Sequence, residues 1–330
     1  MKNLLIIGML TFYISASSQE FAPVNKNASP EAKKLLSYLY SNKGKKTLAG
    51  QHNYSPSMSQ YNDTVKSLTG MYPAVWGTDF ILLGPKSYGN EIVKEAINKY
   101  KQGYIVTLMW HAGRPMDNPP YGWKESIQGK VNDKEWKELT TPGTELNKRW
   151  EAQVDEIAGY LKQLRDANVP VLWRPYHEMN GVWFWWGDKK GPDGYQKLFK
   201  MMFDRFVNFH QLNNLLWVWN ANAPRDIPFD EAFAYKDFYP GADYVDVLAT
   251  DVYNFDYETK DYNELLDLAK GKIITLGECG ELPKPEILQV QPQWAWFMVW
   301  ASWIKSANTP QRVNEIYNHP QVLTHEKVKF

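Results

Sequence analysis

The segment 171–187 reads VLWRPYHEMNGVWFWWG, and its character changes abruptly after the first three residues. The apolar run 169–173 predicts a short buried strand. Pro175 has no N–H to give to a sheet, so the strand is predicted to end there. Glu178 should therefore lie just beyond the carboxyl end of the strand, beside the four aromatic side chains of residues 183–186. Aromatic neighbours that exclude water raise the pKa of a carboxyl group, which suits it to act as a general acid.

The plainer interpretation of this segment is a core strand followed by a buried ion pair between Arg174 and Glu178. Acidic residues are rarely buried without a reason, and four consecutive aromatic residues exceed what one core face accepts. His177 and Asn180 also stand beside the two charged residues. The segment therefore predicts a functional site at a strand end, where Arg174 orients carboxylates and Asn180 supports them.

Elsewhere the sequence alternates short apolar strands with helical patterns. Strands are predicted at residues 47–49, 74–76, 104–110, 169–173, 215–219, 244–249, 273–276 and 296–300. Helices are predicted at residues 30–40, 91–100, 142–167, 194–209 and 313–317. This alternation is typical of an α/β fold, the (β/α)8 TIM barrel, in a single catalytic domain covering residues 19–330. A doubly wound sheet is the alternative, but no glycine-rich phosphate loop follows the first strand.

Polar and aromatic side chains stand at the strand ends that converge on one face of a barrel. The set comprises Asp79, His111, His177, Glu178, Asn220, Asp251, Tyr253, Glu278 and Trp300. Glu278 lies between glycines 277 and 280, which let a ligand or neighbouring backbone approach closely. The plainer interpretation of Glu278 is an ion-paired or helix-capping acid. Two carboxylates at a barrel mouth suit glycoside hydrolysis, in which one protonates the leaving oxygen and the other attacks the anomeric carbon or activates water.

The amino-acid composition argues against a nucleic-acid or membrane partner and is consistent with a protein that binds sugar. The chain has 330 residues, with 37 Lys and Arg against 37 Asp and Glu, so its formal net charge is zero. A nucleic-acid or membrane-surface partner would need a basic excess and is not expected. Aromatic residues make up 15% of the chain, with 15 Trp and 20 Tyr, which fits a protein that stacks on sugar rings. No cofactor or metal is expected, because His111 and His177 lie on different strands and no His/Cys cluster has ligand spacing.

Residues 1–18 have the pattern of a signal peptide. Lys2 precedes the apolar run 4–14, which is too short to span a bilayer, and the small residues 15–18 follow it. Cys279 is the single cysteine, so neither a lipidated cysteine after the leader nor an internal disulfide is expected. We therefore expect an exported protein without a membrane anchor, acting as a monomer in the periplasm or outside a bacterial cell.

Residues 174–181 and 183–187 resemble the acid/base segment of glycoside hydrolase family 26, whose members are mostly β-mannanases. The resemblance extends from Leu48 to the carboxyl terminus. It is weakest in the loop 111–141, which follows the third predicted strand and should form a wall of the active-site face. The resemblance implies a (β/α)8 barrel and a retaining mechanism.

The resemblance also implies roles for single residues. Glu178 would be the acid/base and Glu278 the nucleophile, with their carboxyl groups about 5–5.5 Å apart. His177 resembles the histidine that hydrogen-bonds the nucleophile, and Tyr253 resembles the tyrosine whose hydroxyl lies near it. Asp251 would shape the same subsite. Without the resemblance, His177 could also be a buried histidine whose hydrogen bonds are made to the backbone. Asp251 could likewise be a turn residue.

Further residues are expected to contact sugar. His111 resembles the histidine that touches the sugar being cleaved, Trp183 a stacking surface on the leaving-group side, and Trp300 the stacking tryptophan of the central subsite. Trp123 is a candidate for extending the cleft, as are the tryptophans at residues 185–186, although each also fits core packing. Some family members carry an arginine beside the eighth-strand tryptophan. Here that tryptophan is followed by Ala and Ser, so the corresponding mannose contact is not expected.

The sequence thus predicts a secreted retaining endo-β-1,4-mannanase that hydrolyses mannan, glucomannan or galactomannan with two glutamates. Because specificity in such folds lies in loops, action on lichenan or xylan and exo release of mannobiose are alternatives. A barrel that binds polysaccharide without cutting it is a further alternative. Both carboxylates would be dispensable in that protein.

Overall fold

The computed structural model describes residues 22–80 and 87–329, and the predicted signal peptide lies outside them. Eight parallel strands close into a barrel, each paired with the next and the eighth with the first. The strands are β1 Thr47–His52, β2 Val75–Asp79, β3 Ile105–Trp110, β4 Val171–Pro175, β5 Leu215–Asn222, β6 Val247–Val252, β7 Ile273–Cys279 and β8 Trp296–Val299, with a short β9 Val322–Leu323 beside β1. The predicted single-domain (β/α)8 barrel is confirmed.

Helices surround the barrel. They are α1 Pro30–Asn42, α2 Gln60–Thr69, α3 Gly89–Lys101, α4 Asp133–Leu139, α5 Glu145–Asp166, α6 Tyr195–Asp204, α7 Thr259–Ala269, α8 Pro285–Val290, α9 Trp303–Ser306 and α10 Pro310–Tyr317. Ser29 caps α1, because its Oγ accepts the amide of Ala32 at 3.2 Å. Across residues 22–80 and 87–329, no helix is long and apolar enough to cross a membrane.

Five strands, β1, β2, β5, β6 and β7, run further toward their carboxyl ends than their apolar pattern predicts. The apolar runs predict β5 at residues 215–219 and β7 at 273–276, whereas β5 ends at Asn222 and β7 at Cys279. Glu278 therefore lies within a paired strand and not after it. An apolar run marks where a strand is covered by apolar neighbours, but backbone pairing continues through the polar residues at the barrel mouth.

The long segment after β3 contains regular structure. Its helix α4 begins with a capping box in which Asn132 Oδ1 accepts the amide of Glu135 at 3.0 Å, while Glu135 accepts the amide of Asn132 at 2.8 Å. A π-helical turn covers Trp123–Ile127. The helix predicted at residues 142–167 begins later, at Glu145 in α5. Capped helical pieces of this kind hold a long loop in place beside the barrel mouth.

A β-bulge at Gly277 sets the position of Glu278. The pairing register of β6 and β7 shifts before Asp251, which pairs with Glu278, so Gly277 is the extra residue. A Cβ atom on Gly277 would lie 1.7 Å from Oδ1 of Asn220 and 2.8 Å from Oδ1 of Asp251. The glycine therefore makes room for side chains of β5 and β6, whereas the sequence predicted room for a ligand or a neighbouring backbone.

Most of the aromatic cluster after β4 belongs to the core, contrary to the sequence-based expectation. Residues 184–186 are buried, and only Trp183 is half-buried. The indole N–H groups of Trp185 and Trp186 donate to backbone carbonyls at 2.8 Å, which satisfies them inside the protein. Of the two interpretations left open for Trp185 and Trp186, core packing is therefore correct and extension of the cleft is wrong.

Candidate active site

The backbone after β4 is strained where it carries Glu178. Tyr176 and Glu178 have φ angles of 46° and 53°, in the left-handed region that residues other than glycine seldom adopt. The amide of Glu178 donates to the carbonyl of Asn220 in β5 at 2.7 Å. The hydroxyl of Tyr176 accepts the indole N–H of Trp150 at 2.9 Å. Such conformations persist where the surroundings over-determine them, and they cluster at functional sites.

Glu178 is a buried carboxyl group with two hydrogen bonds. Nε1 of Trp183 donates to its Oε2 at 2.8 Å, and Nδ2 of Asn222 donates to its Oε1 at 2.8 Å. Burial and then the charge of Glu278 raise the pKa of Glu178 to about 7, against the lowering effect of the two hydrogen bonds. Glu178 is therefore a carboxyl group that exchanges a proton near neutral pH.

Glu278 is also buried, but it is held by a cation and a hydroxyl group. Nη2 of Arg174 donates to its Oε1 at 2.7 Å, and the hydroxyl of Tyr253 donates to its Oε2 at 2.6 Å. Nε2 of His177 lies 3.5 Å from Oε1, which is longer than a direct hydrogen bond. The charge-assisted bond from Arg174 thus takes the place expected for His177. Burial raises the pKa of Tyr253 well above its usual range, so its hydroxyl keeps the proton that it donates.

Arg174 pairs with Glu278 and not with Glu178, so the plainer interpretation of the β4 segment is wrong. Its Nη1 donates to Oδ1 of Asn220 at 3.1 Å and lies 3.6 Å from Oδ2 of Asp251. Asp251 has no exposed surface, and burial raises its pKa well above the usual range. Asp251 therefore acts on the site through Arg174 and through the bulge beside it.

His111 is fixed by Asp79 at the end of β2. Its Nδ1 lies 2.5 Å from Oδ2 of Asp79, and its amide donates to Oδ1 at 3.1 Å. The ring of His111 meets His177 edge-on, with centroids 4.5 Å apart. Burial and the nearby His111 and Arg174 lower the pKa of His177 well below its usual range, so His177 is neutral. The two histidines that the sequence predicted on separate strands thus form one contact pair.

A cavity of about 500 Å³ opens beside His111. It is lined by Tyr54, Ser55, Pro56, Asp79, Tyr88, His111, Trp123 and Trp300. Trp300 stacks on the buried ring of His52, with centroids 3.9 Å apart and an interplanar angle of 19°. Trp123, at 37% exposure, lies 5.1 Å from the ring of His111. The structure therefore brings three predicted sugar-contact residues to one cavity, and an aromatic lining of this size suits a sugar.

Asn180 supports the site through the end of β5. Its Nδ2 donates to the carbonyl of Asn222, and its Oδ1 accepts the amide of Asn222, both at 2.8 Å. Asn222 itself is not among the residues that the sequence predicts for the site. Asn222 lies two residues after Asn220 on the same strand, so the two-residue period of a strand was an available signal. His52 ends β1 and so had the same strand-end signal as the predicted site residues. Tyr54 and Arg225 had no comparable signal, because tertiary packing alone brings them to the site.

One group among the described residues has ligand atoms close enough to share a metal ion. It comprises His177, Asp251 and Glu278, with these atoms within 4.8 Å of one another. The guanidinium of Arg174 already lies 2.7 Å from Glu278 and 3.6 Å from Asp251. A cation of the protein's own therefore already lies within this group, and the group does not fit a metal ion.

Comparison with known proteins gives a consistent result. Residues 24–327 match the family model described as glycosyl hydrolase family 26. The structure of GH26A from a Muricauda species is similar at a TM-score of 0.92 and 58% identity, over 93% of this chain and 100% of that chain. The β-mannanase from a symbiotic protist of the termite Reticulitermes speratus, complexed with gluco-manno-oligosaccharide, is similar at a TM-score of 0.80 and 31% identity, over 93% of this chain and 97% of that one.

Two curated relatives are named mannan endo-1,4-beta-mannosidases. The mannan endo-1,4-beta-mannosidase of Thermothelomyces thermophilus is 37% identical over 92% of this chain and 63% of its own length. The mannan endo-1,4-beta-mannosidase A of a Piromyces species is 32% identical over 92% of this chain and 50% of its own length. The chain thus spans half to two thirds of the length of these relatives. With a family match over nearly all of its length, this chain belongs to glycosyl hydrolase family 26.

Proposed function

We propose that this chain is a retaining endo-β-1,4-mannanase acting on mannan, glucomannan or galactomannan. The observation that carries the proposal is the unlike environment of two buried glutamates at the barrel mouth. Glu178 has a pKa of about 7, whereas Glu278 is bound by Arg174 and Tyr253. Two relatives are named mannan endo-1,4-beta-mannosidases, and a solved β-mannanase is complexed with gluco-manno-oligosaccharide, which supports the substrate class.

The first chemical step uses both glutamates. An oxygen of Glu278 attacks the anomeric carbon, and the bond from that carbon to the glycosidic oxygen breaks. Glu178 gives its proton to the departing oxygen, so the leaving chain departs as an alcohol. A pKa of about 7 leaves much of Glu178 protonated at neutral pH. Arg174 and Tyr253 keep the attacking carboxylate oriented through one hydrogen bond on each oxygen.

The second step reverses the proton transfer. Glu178, now ionised, takes a proton from water, whose oxygen bonds to the anomeric carbon while the bond to Glu278 breaks. The donors Trp183 and Asn222 stabilise the ionised form of Glu178 in this step. Two inversions give a product with the original anomeric configuration. The expected separation of the two carboxyl groups is about 5–5.5 Å.

Sugar contacts are proposed on both sides of the cleaved bond. His111, Trp123 and Trp300 line the cavity and would hold the sugar being cleaved and those beyond it. Trp183 would meet the leaving group through the part of its ring that stays exposed. That part is limited, because Arg225 lies over the ring and a Cβ on Gly181 would be 2.3 Å from it. Trp183 thus serves Glu178 as a donor as well as offering apolar surface.

The test is hydrolysis of mannan, glucomannan, galactomannan, lichenan and xylan, with products resolved over time. A mixture of manno-oligosaccharides of several lengths is expected early in the reaction, and a Glu178→Gln/Glu278→Gln double variant purified identically is the control. Mannobiose as the sole early product would favour the exo alternative. Products from lichenan or xylan alone would contradict the substrate class, and binding without products would favour a binding barrel.

Stereochemistry tests the mechanism separately from the substrate. NMR of the first product should show the β-anomer at the new reducing end before mutarotation. An α-anomer would contradict retention. Trapping with a slow fluorosugar followed by peptide mapping should place the label on Glu278, and a label on another residue would move the nucleophile assignment even if retention held.

We also propose that the protein is exported and acts as a monomer on polysaccharide in the periplasm or outside the cell. The leader pattern of residues 1–18 supports export. Fractionation of cells that express the full chain, with amino-terminal sequencing of the mature protein, would test export and the cleavage site. Sedimentation of the mature protein would test the oligomeric state.

A further inference from the structure

Arg225, which lies outside the β4 segment, contacts both side chains that donate a hydrogen bond to the carboxyl group of Glu178. Nη1 of Arg225 donates to Oδ1 of Asn222, whose Nδ2 donates to Oε1 of Glu178 at 2.8 Å. The guanidinium also lies over the ring of Trp183, 4.8 Å from its centroid. Trp183 in turn donates to Oε2 of Glu178 at 2.8 Å. One planar cation therefore contacts both donors of the same carboxyl group.

Arg225 is itself held firmly. Asp230 binds it as a two-pronged partner, with Nε to Oδ2 at 2.9 Å and Nη2 to Oδ1 at 2.7 Å. The backbone of Arg225 exchanges two hydrogen bonds of 2.9 Å with Ala232, and Ala232 also forms a bridge to Gly181. The loop that carries Arg225 is thus joined to the turn that carries Glu178, which fixes the distance between the two.

The side-chain amide of Asn222 needs such a partner because one end is an acceptor, Oδ1, and the other is a donor, Nδ2. Asn180 binds both the amide and the carbonyl of the Asn222 backbone, so rotation of the side chain is the freedom that remains. A guanidinium group can only donate hydrogen bonds. Arg225 therefore fixes the side-chain amide of Asn222 with Oδ1 toward Arg225 and Nδ2 toward Glu178. The reversed amide would present an acceptor to Glu178 and favour its protonated form.

We propose that Arg225 is a positioning residue for the acid/base, holding Asn222 and Trp183 as donors and so setting the balance between the protonated and ionised forms of Glu178. The inference rests on the proposed function, in which Glu178 donates a proton in the first step and accepts one in the second. Arg225 touches no reacting atom. Its effect reaches the chemistry through the two donors, which stabilise the ionised form needed in the second step.

The test is the pH profile of kcat/KM on a manno-oligosaccharide. Arg225→Met should move the alkaline limb upward by about one pH unit, because a hydrogen bond to a charged group contributes on that scale. It should also lower kcat on the order of tenfold, through the slower second step. Arg225→Lys keeps the positive charge without the planar fork and should move the limb similarly. Restoration of the wild-type profile by lysine would overturn positioning in favour of charge alone.

A double-mutant cycle shows whether Arg225 acts through Asn222. Asn222→Ala should itself move the limb upward, since one donor to Glu178 is lost. Adding Arg225→Met to Asn222→Ala should then move it by less than Arg225→Met does alone. Equal shifts in the two backgrounds would overturn the proposed route through the amide.

Two controls keep the test decisive. Arg114→Met removes an arginine with a similar two-pronged pairing, to Asp117 at 2.9 and 3.1 Å, and should leave the alkaline limb in place. If Arg225→Met does not fold, Asp230→Asn loosens the same arginine and should move the limb upward by a smaller amount. An unmoved limb in the folded variants would overturn the inference.

A parallel Glu178→Ala variant separates the two levels of the proposal. Retained activity on a substrate with a good leaving group, with rescue by azide, supports the role of Glu178, so an unmoved limb in Arg225→Met would then overturn the inference alone. Equal loss on all substrates without azide rescue would overturn the proposed function and the inference with it.

Discussion

Nη2 of Arg174 lies 2.7 Å from Oε1 of Glu278, and both side chains are buried. The other terminal nitrogen, Nη1, donates to Asn220 at 3.1 Å and lies 3.6 Å from Asp251. A buried ion pair adds little net stability, but removing one partner leaves an uncompensated charge. The pair therefore fixes the direction of the Glu278 carboxylate and makes the site intolerant of substitution at Arg174.

Arg174→Met should lower the free energy of unfolding by about 3–5 kcal/mol, because the carboxylate of Glu278 stays buried without its cation. Activity on mannan should fall on the order of a hundredfold or more, since the carboxylate loses its orientation. Denaturant unfolding and kcat/KM measure the two effects. The control is Arg312→Met, which breaks a partly exposed pair with Glu315 at 3.6 Å and should change stability by about 1 kcal/mol at most. Similar effects from both variants would contradict the prediction.

Glu178→Ala should reduce hydrolysis of mannan by roughly 10²–10⁴-fold, the usual contribution of a general acid. Substrates with a good leaving group need no proton and should keep most of their first-step rate. The second step should slow, and azide should restore turnover by replacing water as the nucleophile. Steady-state rates on the two substrate types, with and without azide, measure this. Equal losses without rescue would exclude Glu178 as the acid/base.

The activity should fall as the pH rises through about 7, where Glu178 loses the proton that the first step requires. The alkaline limb of kcat/KM on mannan measures this directly. On a substrate with a good leaving group the same limb should weaken or disappear. If the alkaline limb were equally steep on both substrates, it would reflect the titration of a group other than Glu178.

The same raised pKa has a consequence for stability. Glu178 titrates near 4.5 when unfolded and near 7 in the folded protein, so its contribution to stability is fully present below pH 4.5 and is lost as the pH rises through 7. In Glu178→Gln this loss cannot occur. The difference in unfolding free energy between variant and wild type should therefore shift in favour of the variant between pH 5 and pH 8, as denaturant unfolding at both values would show. A constant difference would contradict the raised pKa.

The β4 segment shows how far local sequence predicts the site. Pro175 marks the strand end correctly, and the residues after it place Glu178 at the barrel mouth. The plainer alternative, in which Arg174 pairs with Glu178, is wrong, because Arg174 reaches Glu278 across the barrel and adjacency in sequence does not indicate such a partner. The alternation of strands and helices that predicts the barrel depends only on local periodicity. The fold could therefore be predicted from the sequence.

Tertiary contacts account for what the sequence did not reveal. Arg225 reaches Asn222 and Trp183 from a loop after β5, and no spacing rule connects the three. The tryptophans at residues 185–186 look like cleft residues by composition, yet backbone carbonyls satisfy their indole N–H groups inside the core. Whether an aromatic side chain is packed or exposed depends on partners that lie elsewhere in the chain.

Gly277→Ala should abolish or severely reduce activity. Its Cβ would lie 1.7 Å from Oδ1 of Asn220 and 2.8 Å from Oδ1 of Asp251, so Arg174 and Glu278 would shift with their neighbours. The matched control is Gly159→Ala on the exposed face of α5, where a Cβ meets no atom within 4 Å. This control should raise the free energy of unfolding by about 0.5–1 kcal/mol, because alanine favours a helix. Normal activity in Gly277→Ala would show that the bulge does not position the nucleophile.

Trp300→Ala should weaken catalysis while leaving the barrel folded. Trp300 is half-buried, with its ring stacked on His52 at 3.9 Å and also lining the cavity beside His111. Removing one stacking surface should lower kcat/KM on mannan. The decrease should correspond to a loss of about 1–3 kcal/mol in transition-state stabilisation. Trp300→Phe keeps a ring against His52 and should lose less, which separates sugar stacking from the packing of His52. The decisive comparison is kcat/KM beside the free energy of unfolding in both variants: a protein destabilised but fully active would show that Trp300 is a core residue and not a surface that binds sugar.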